Sequence, residues 1–361
     1  MPWQNDGHEE GRKEANDGPF ISVVVPCRNE AAFIKNALEA VLRNDWPADR
    51  LEVLVVDGGS TDGTRDLVAE MALRDPRVKL VDNPGVFAGS AMKIGVAAAR
   101  GDYISRVDAH ARIPSYYFKA GVAILRGRPD IWAVGGPVDR VAAEESGRLV
   151  AAIASNIFAT GNTPVRVGRV EGSVDAVLYP VWPREVFERV GEFDETLVRN
   201  QDDDFHYRLR RAGGIIYQTQ KMRATYYVRG SVRQLLKQYN QYAFWKVFLS
   251  KKRGRVLGLK PFVPLAFFAA LALALVAGFS VPYLWLAGGI LAAAYLCADV
   301  AASTAVAART GFRDFFKALA IFPAFHLTYA AGILAGVWHF YVRGSTPQEI
   351  INRGVYSKLT R

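Results

Sequence analysis

Cysteine is scarce in this sequence of 361 residues, which contains only Cys27 and Cys297. One follows a short β-branched run and the other lies inside a long apolar segment, so a framework of disulfide bonds is excluded. The chain also begins with polar residues and lacks the basic and apolar regions of a secretory signal peptide. We therefore expect the soluble part of the protein to remain in the cytoplasm.

Charge is missing from one long part of the chain. Between Pro261 and Ala308 the only Asp, Glu, Lys, Arg or His residue is Asp299. The whole chain, in contrast, has 45 basic and 35 acidic residues and a formal net charge of +10 at pH 7. Half of the residues are hydrophobic, which excludes a mainly disordered chain. This distribution predicts a soluble globular part followed by a membrane part.

Three apolar stretches, 261–279, 283–308 and 318–341, have about the 20 residues that a helix needs to cross a bilayer. Basic residues precede the first stretch and follow the second, so the positive-inside rule predicts a hairpin with both flanks in the cytoplasm. A third crossing would place Arg343 and Arg353 outside, against the same rule. We favour a third crossing helix, with a re-entrant or interfacial helix as the alternative.

Short β-branched runs alternate with helical patterns before residue 140. The runs 20–26 and 51–56 suit buried parallel strands, and each is followed by a helical pattern. Further strands are expected at 78–81, 103–107 and 132–134. Such alternation is typical of βαβ units, so we predict an α/β, Rossmann-like nucleotide-binding domain.

Aromatic and basic residues are mixed in the helical pattern of residues 232–252, just before the apolar stretches. This composition favours a helix that lies in the membrane interface, and an ordinary packed helix is the alternative. No nucleic-acid recognition motif is found, so nucleic acid is not an expected partner.

Three polar segments follow predicted strands, where the sheets of α/β proteins bind ligands. They are Pro26-Cys27-Arg28-Asn29-Glu30, Asp57-Gly58-Gly59-Ser60-Thr61-Asp62-Gly63-Thr64 and Arg106-Val107-Asp108-Ala109-His110. Neither Gly-x-Gly-x-x-Gly nor the Lys-Ser/Thr of a phosphate loop is present in them. In this order and at these spacings, the three segments together resemble the nucleotide-sugar elements of the family 2 inverting glycosyltransferases.

The resemblance implies an A-type glycosyltransferase fold and roles for particular residues. Glu30 and Asp57 would hold the uridine, and Asp108 would bind the divalent cation, Mg²⁺ or Mn²⁺. His110 stands where the family has a second Asp, so it is either a metal ligand, which leans slightly towards Mn²⁺, or a loop residue without metal contact. The remaining candidates for nucleotide-sugar binding are Pro26, Arg28, Gly58 and Ser60.

The family's general base is an aspartate at the start of a helix, and residues 200–208 match that element. Asp202 fits the base position, Gln201 replaces the usual Glu, and Asp203 is the reserve candidate. Repulsion among neighbouring carboxylates favours proton uptake by one of them, which suits a general base. The alternative interpretation is a solvated helix start, in which the helix dipole favours the acidic residues. A single displacement assisted by one base inverts the anomeric configuration.

Processive members of the family carry Gln-x-x-Arg-Trp on an interfacial helix. Here Gln241 and Trp245 match, but Phe244 takes the place of the Arg, which argues against a polymerising enzyme. Gln241 and Trp245 are therefore candidate acceptor-side residues, and ordinary amphipathic packing explains the same spacing.

The chain looks most similar to the membrane glucosyltransferases of succinoglycan-type exopolysaccharide assembly. That resemblance implies a UDP-sugar donor, a lipid-linked (polyprenyl diphosphate) saccharide acceptor, contact with membrane lipid, and a multi-pass protein of the cell inner membrane with a cytoplasmic catalytic domain. A polyprenyl-phosphate sugar synthase is the alternative within the class. A non-catalytic membrane scaffold or transport protein is the alternative outside it.

The predicted organisation has five parts. They are a mobile N-terminal tail (1–18), a glycosyltransferase catalytic domain (19–231), an amphipathic interfacial helix with a basic linker (232–260), a membrane region of two or three transmembrane helices (261–342) and a C-terminal tail (343–361).

Overall fold

The computed structural model describes residues 18–161, 170–228, 230–254, 259–354 and 356. Most of the predicted N-terminal tail, part of the basic linker and the end of the predicted C-terminal tail lie outside these residues. The strands are β1 (Ile21–Cys27), β2 (Leu51–Asp57), β3 (Val78–Asp82), β4 (Tyr103–Arg106), β5 (Ala111–Arg112), β6 (Ile131–Gly136), β7 (Val138–Ala142), β8 (Gly172–Ser173), β9 (Leu178–Pro183), β10 (Ile215–Gln218) and β11 (Ala224–Val228).

Helices alternate with these strands and then continue alone towards the C-terminus. They are α1 (Ile34–Leu42), α2 (Thr64–Arg74), α3 (Ala88–Ala98), α4 (Tyr117–Gly127), α5 (Arg148–Ala154), α6 (Ile157–Thr160), α7 (Glu185–Val190), α8 (Gln201–Arg211), α9 (Val232–Lys252), α10 (Val263–Ala277), α11 (Tyr283–Thr310), α12 (Arg313–Val337) and α13 (Pro347–Asn352).

The main sheet has the strand order β3-β2-β1-β4-β9-β6-β10-β8. Strand β1 pairs in parallel with both β2 and β4, so the chain runs outward to β3 and then returns to the other side of β1. The order therefore reverses between β1 and β4, and α/β sheets bind ligands outside the carboxyl ends of the strands at such a point. A second, smaller sheet has the order β5-β11-β7.

Side chains of the central strands alternate between two cores. Val23 and Val25 join the cluster that includes α1, α2 and α4, whereas Val24 joins the cluster that includes Met92 of α3 and Phe205 of α8. Because both faces of the sheet are covered by helices, its central strands β1 and β2 consist almost wholly of buried residues, as the apolar runs predict. The predicted α/β fold is confirmed, although α4 and the strands after β6 at Leu178–Pro183 and Ala224–Val228 were not among the predicted elements.

Three helices of the described part are long and apolar enough to cross a membrane. These are the segments Lys260–Ala277, Tyr283–Thr310 and Arg313–Val342, in agreement with the three predicted stretches. The segment Arg313–Val342 packs along α9 as well as against the other two apolar helices. Asn240 of α9 donates to the carbonyl of Thr328 at 2.7 Å.

Helices α5 and α6 extend from the α/β domain and pack among the three long apolar helices. Asn156, just before α6, donates to the carbonyl of Ala302 in α11 at 3.3 Å. His326 of α12 donates to the carbonyl of Phe158 at 2.8 Å, and its other ring nitrogen accepts from Tyr295 at 2.7 Å. The sequence patterns did not predict this contact.

Candidate active site

Asp57, the last residue of β2, is enclosed by donors at the carboxyl edge of the sheet. Its carboxylate accepts from the backbone N–H of Gly59 at 3.1 Å and of Ser60 at 3.0 Å, from the Ser60 hydroxyl, and from Arg65 Nη1 at 3.0 Å. Burial favours the neutral acid, but the hydrogen bonds from Ser60 and Arg65 outweigh it and lower the pKa of Asp57. The site therefore holds this group as an anion.

The loops after β1 and β2 are tied to each other. The backbone N–H of Asn29 donates to the Ser60 hydroxyl at 2.8 Å, and Asn29 Oδ1 accepts from the backbone of Thr61 at 2.8 Å. Asn29 has a positive φ of 53°, a conformation that asparagine tolerates better than most residues. These bonds place the two candidate nucleotide loops side by side. Pro26 and Arg28 of the same segment are half-buried.

At Gly58, directly after β2, the neighbouring backbone leaves no room for a side chain. A Cβ atom at this position would lie 2.5 Å from the carbonyl oxygen of Val86, and the N–H of Gly58 donates to the carbonyl of Cys27 at 2.9 Å. A larger residue would have to displace backbone.

Arg106, at the end of β4, connects the two carboxylates expected to act on the sugar and its diphosphate. Its Nε donates to Asp108 Oδ1 at 2.8 Å, and its Nη1 lies 3.0 Å from Asp202 Oδ1. The guanidinium side chain is only 13% exposed, and its desolvation is outweighed by the two anions, which raise its pKa. The structure thus brings Asp108 and Asp202 together, although 94 residues separate them in the sequence.

The three consecutive aspartates at the start of α8 have different partners. Asp203 pairs with Lys246 of α9 at 2.5 Å. Asp204 is fully buried and pairs with Arg208 at 2.9 Å and with Arg253 at 2.5 Å. The side chain of Asp202 is one-third exposed, faces Arg106 and lines a cavity.

His110, two residues after Asp108, contacts Glu30. His110 Nδ1 lies 3.3 Å from Glu30 Oε1, and the His110 ring packs edge-on against Tyr226, with 4.7 Å between centroids. Glu30 is 6% exposed, so it belongs to the floor of the site.

Asp108 and His110 can hold a divalent cation only when a diphosphate supplies most of its other ligands. Among the described residues no group of three or more His, Cys, Asp or Glu side chains is arranged to bind a metal. Asp108 uses Oδ1 towards Arg106, and His110 uses Nδ1 towards Glu30, a second contact of the kind that orients metal-ligating imidazoles. This donor set fits a cation that takes most of its oxygen ligands from a diphosphate.

The candidate acceptor-side residues are both buried. Gln241 Oε1 accepts from Arg199 Nη2 at 3.1 Å, in the segment just before α8. Trp245 is 0% exposed and donates to the carbonyl of Tyr356 at 2.9 Å. Gln241 therefore connects α9 to the segment that carries Asp202, and Trp245 packs the contact between α9 and the C-terminal part of the chain.

The sequence analysis did not assign roles to Arg106, Arg199 or His206. Arg106 lies inside the third motif, but the spacing of that motif does not indicate that Asp202 of α8 also contacts Arg106. His206 is one helical turn after Asp202 and is 2% exposed.

Comparisons with known proteins agree with this geometry. Residues 22–158 match the family model described as glycosyl transferase family 2. A succinoglycan biosynthesis protein, ExoA, of Rhizobium meliloti (strain 1021) is 33% identical over 251 residues, which are 68% of this chain and 74% of that protein. The chain belongs to glycosyltransferase family 2.

Other relatives of this family 2 glycosyltransferase extend the comparison. A Methanococcus voltae protein named dolichyl N-acetyl-alpha-D-glucosaminyl phosphate 3-beta-D-2,3-diacetamido-2,3-dideoxy-beta-D-glucuronosyltransferase is 27% identical, over 67% of this chain and 78% of its own length. A solved mannosyltransferase of Pyrobaculum calidifontis, with GDP-mannose and Mn²⁺, covers 89% of this chain and 87% of its own at a TM-score of 0.54 and 21% identity. The A-type glycosyltransferase fold and the enzyme class are confirmed.

Proposed function

We propose that this family 2 glycosyltransferase moves a sugar, a hexose such as glucose, from a UDP-sugar to a lipid-linked saccharide in exopolysaccharide or cell-surface glycan assembly. The observation that carries this proposal is the contact of Arg106 with both Asp108 and Asp202, at the sheet edge where Asp57 lies. The names of the two relatives, one in succinoglycan biosynthesis and one acting on a dolichyl-linked sugar, support the same substrate class.

In the proposed reaction Asp202 accepts the proton of an acceptor hydroxyl while that oxygen attacks the anomeric carbon. The bond from this carbon to the diphosphate breaks, and the electron pair leaves with UDP. One displacement inverts the configuration. Asp57 and Glu30 hold the nucleotide, with Pro26, Arg28, Gly58 and Ser60 lining its site.

A cation, Mg²⁺ or Mn²⁺, would be held by Asp108 and His110. When bound, it offsets the negative charge that the diphosphate gains as it leaves. The contact of His110 with Glu30 supports a ligand role for the imidazole. Mn²⁺ in the structural neighbour from Pyrobaculum calidifontis is consistent with this proposal.

The acceptor carries a polyprenyl diphosphate in this proposal, and the enzyme works at the cytoplasmic face of the inner membrane as a multi-pass protein. The exposed basic residues Arg233 and Lys237 of α9 and Lys260, just before α10, support contact with anionic lipid. Gln241 acts on the acceptor side through Arg199, whereas Trp245 supports the helix that carries Gln241.

The test is release of nucleoside diphosphate from a panel of UDP- and GDP-sugars by the purified full chain in nanodiscs. Each donor is given with Mn²⁺, Mg²⁺ or EDTA, and with or without bacterial lipid extract. We expect turnover that needs a cation, rises with lipid extract and is lost in Asp108→Ala. Absence of turnover with every donor, together with absence of UDP binding by calorimetry, would contradict the proposal and favour a scaffold.

The polyprenyl-phosphate alternative differs in its need for a base. A phosphate acceptor is already an anion, so Asp202→Asn would leave transfer to it largely intact. We expect Asp202→Asn to abolish turnover, as transfer to a hydroxyl requires. Retained turnover on purified polyprenyl phosphate would instead favour the synthase.

A further inference from the structure

Several buried polar groups without a hydrogen-bond partner surround one small cavity next to the base. Arg106, Asp108, Asp202, His206, Tyr179 and Trp182 contribute to its lining, and its free volume is about 10 Å³. Both ring nitrogens of His206, the Tyr179 hydroxyl and Trp182 Nε1 are buried without a hydrogen bond to another described residue, whereas the buried Asp202 Oδ1 lies 3.0 Å from Arg106 Nη1. Native proteins pair nearly all such groups, so this concentration requires an explanation.

The backbone holds one of these groups in place under strain. Tyr179 has a φ of 52°, which is rare for a residue with a bulky side chain. Its carbonyl accepts from the buried Tyr117 hydroxyl at 2.6 Å. The fold therefore keeps the Tyr179 side chain at the cavity against local preference.

The size and chemistry of the cavity suit a single water molecule. A volume of about 10 Å³ is at the lower limit for one water, which also needs two to four polar partners. Burial lowers the pKa of His206 to about 4, against the opposing effect of Asp202, so the imidazole is neutral at pH 7. A neutral imidazole has one donor and one acceptor, and the Tyr179 hydroxyl can act as either.

We propose that this cavity holds one water molecule, bound by His206 and Tyr179, that hydrogen-bonds to Asp202 Oδ1 and fixes the orientation of the base. This inference rests on the proposed role of Asp202. Because Oδ1 is buried towards Arg106, the exposed third of the side chain presents the other oxygen to the open side of the site. In this proposal His206 and Tyr179 are positioning residues that act through the water molecule.

The competing explanation is a core histidine that is simply unsatisfied, and it makes the opposite prediction. Replacing an unsatisfied buried polar group by an apolar one of similar size leaves the stability of a protein nearly unchanged or raises it, whereas removing a partner of a bound water lowers it. The variants are His206→Leu, which is apolar, His206→Asn, which keeps a donor and an acceptor, and Tyr179→Phe, which removes one oxygen.

The experiment measures the melting temperature and donor kinetics of these variants as full chains in nanodiscs. We expect His206→Leu and Tyr179→Phe to melt lower than the wild type and to lose about 10- to 100-fold in kcat, the range seen when supporting contacts of a site are removed. The KM for the donor should change less than about twofold, because the donor loops are intact, and His206→Asn should keep most of kcat.

Two results would overturn the inference: a higher melting temperature for His206→Leu, or wild-type kcat in both His206→Leu and Tyr179→Phe. If His206→Leu does not fold, Tyr179→Phe decides, because it leaves the packing unchanged. If the wild type turns over no donor, the proposed function fails, and the melting temperatures alone still decide whether the water is present.

Discussion

The partner of each aspartate in residues 202–204 determines what that carboxylate can do. Asp204 is fully buried between two arginines, and Asp203 is held by Lys246 on a neighbouring helix. Only Asp202 faces the other site carboxylate across Arg106. Arg106 is suited to this position because its planar guanidinium presents donors from separate nitrogens in a fixed geometry, whereas a lysine ammonium presents all its donors from one atom.

Asp202→Asn and Asp203→Asn form a matched pair of isosteric changes on adjacent residues. We expect Asp202→Asn to lower kcat by about 10²- to 10⁴-fold, the usual contribution of a general base, with UDP binding unchanged. Asp203→Asn should retain most of the activity, because its ion pair to Lys246 is partly exposed and partly exposed pairs contribute little. Comparable losses in both variants would contradict the assignment of the base to Asp202.

Asp57 makes the stability of the protein depend on pH in a defined direction. Its pKa in the folded protein lies below the ordinary value of 3.8, so the unfolded chain takes up the proton first as the pH falls. The stabilising contribution is therefore full above 3.8 and is lost as the pH decreases through the lower folded pKa. We expect the difference in melting temperature between wild type and Asp57→Asn to shrink below pH 3.8. A difference that grows on acidification would contradict this sign.

At the scale of elements, the site depends on loops that approach one another closely. Strands β1 and β2 end level with each other, with Cys27 opposite Asp57, so the loops that follow them are adjacent. Helix α8 brings Asp202 to this edge and is fastened to α9 through Lys246 and Arg253. The membrane-proximal helix thus controls the position of the candidate base.

Gly58→Ala tests the close approach of the loops. Its Cβ would lie 2.5 Å from the carbonyl oxygen of Val86, so we expect a loss of about 1–3 kcal/mol in the free energy of unfolding, together with weaker UDP binding. Gly127→Ala, at the end of α4, is the control, since no atom lies within 4 Å of its added methyl group. Equal stability of the two variants would show that the loop after β3 moves without cost.

At the scale of the whole molecule, the catalytic domain and the membrane helices interlock. Phe158 meets His326, which lies 13 residues after Arg313 and hence about 20 Å along α12 at 1.5 Å per residue. Phe340, three residues after the end of α12, shares a core with Val198 and Phe244. The third crossing helix and its re-entrant or interfacial alternative both stay predictions.

A fluorophore on Ile157→Cys measures how deeply α6 enters the bilayer. Ile157 is 56% exposed beside the membrane helices, and Leu73 on α2 is 90% exposed and serves as the matched control site. In a chain with Cys27 and Cys297 replaced by alanine, we expect nitroxide-labelled lipid to quench a probe at 157 and not one at 73. Absence of quenching at 157 would mean that α6 stays outside the lipid.

The sequence by itself determined strands β1 to β4 and β6, the three long apolar helices and the loops that carry the motifs, because these follow from apolar periodicity and from residues close together in the chain. Only the tertiary structure decided that Arg106 joins Asp108 to Asp202, and that Asn156 and Phe158 contact α11 and α12. Such contacts join residues from about 90 to 170 positions apart. These contacts form only when whole helices pack together. The residue pattern of one segment does not specify which distant segment it packs against.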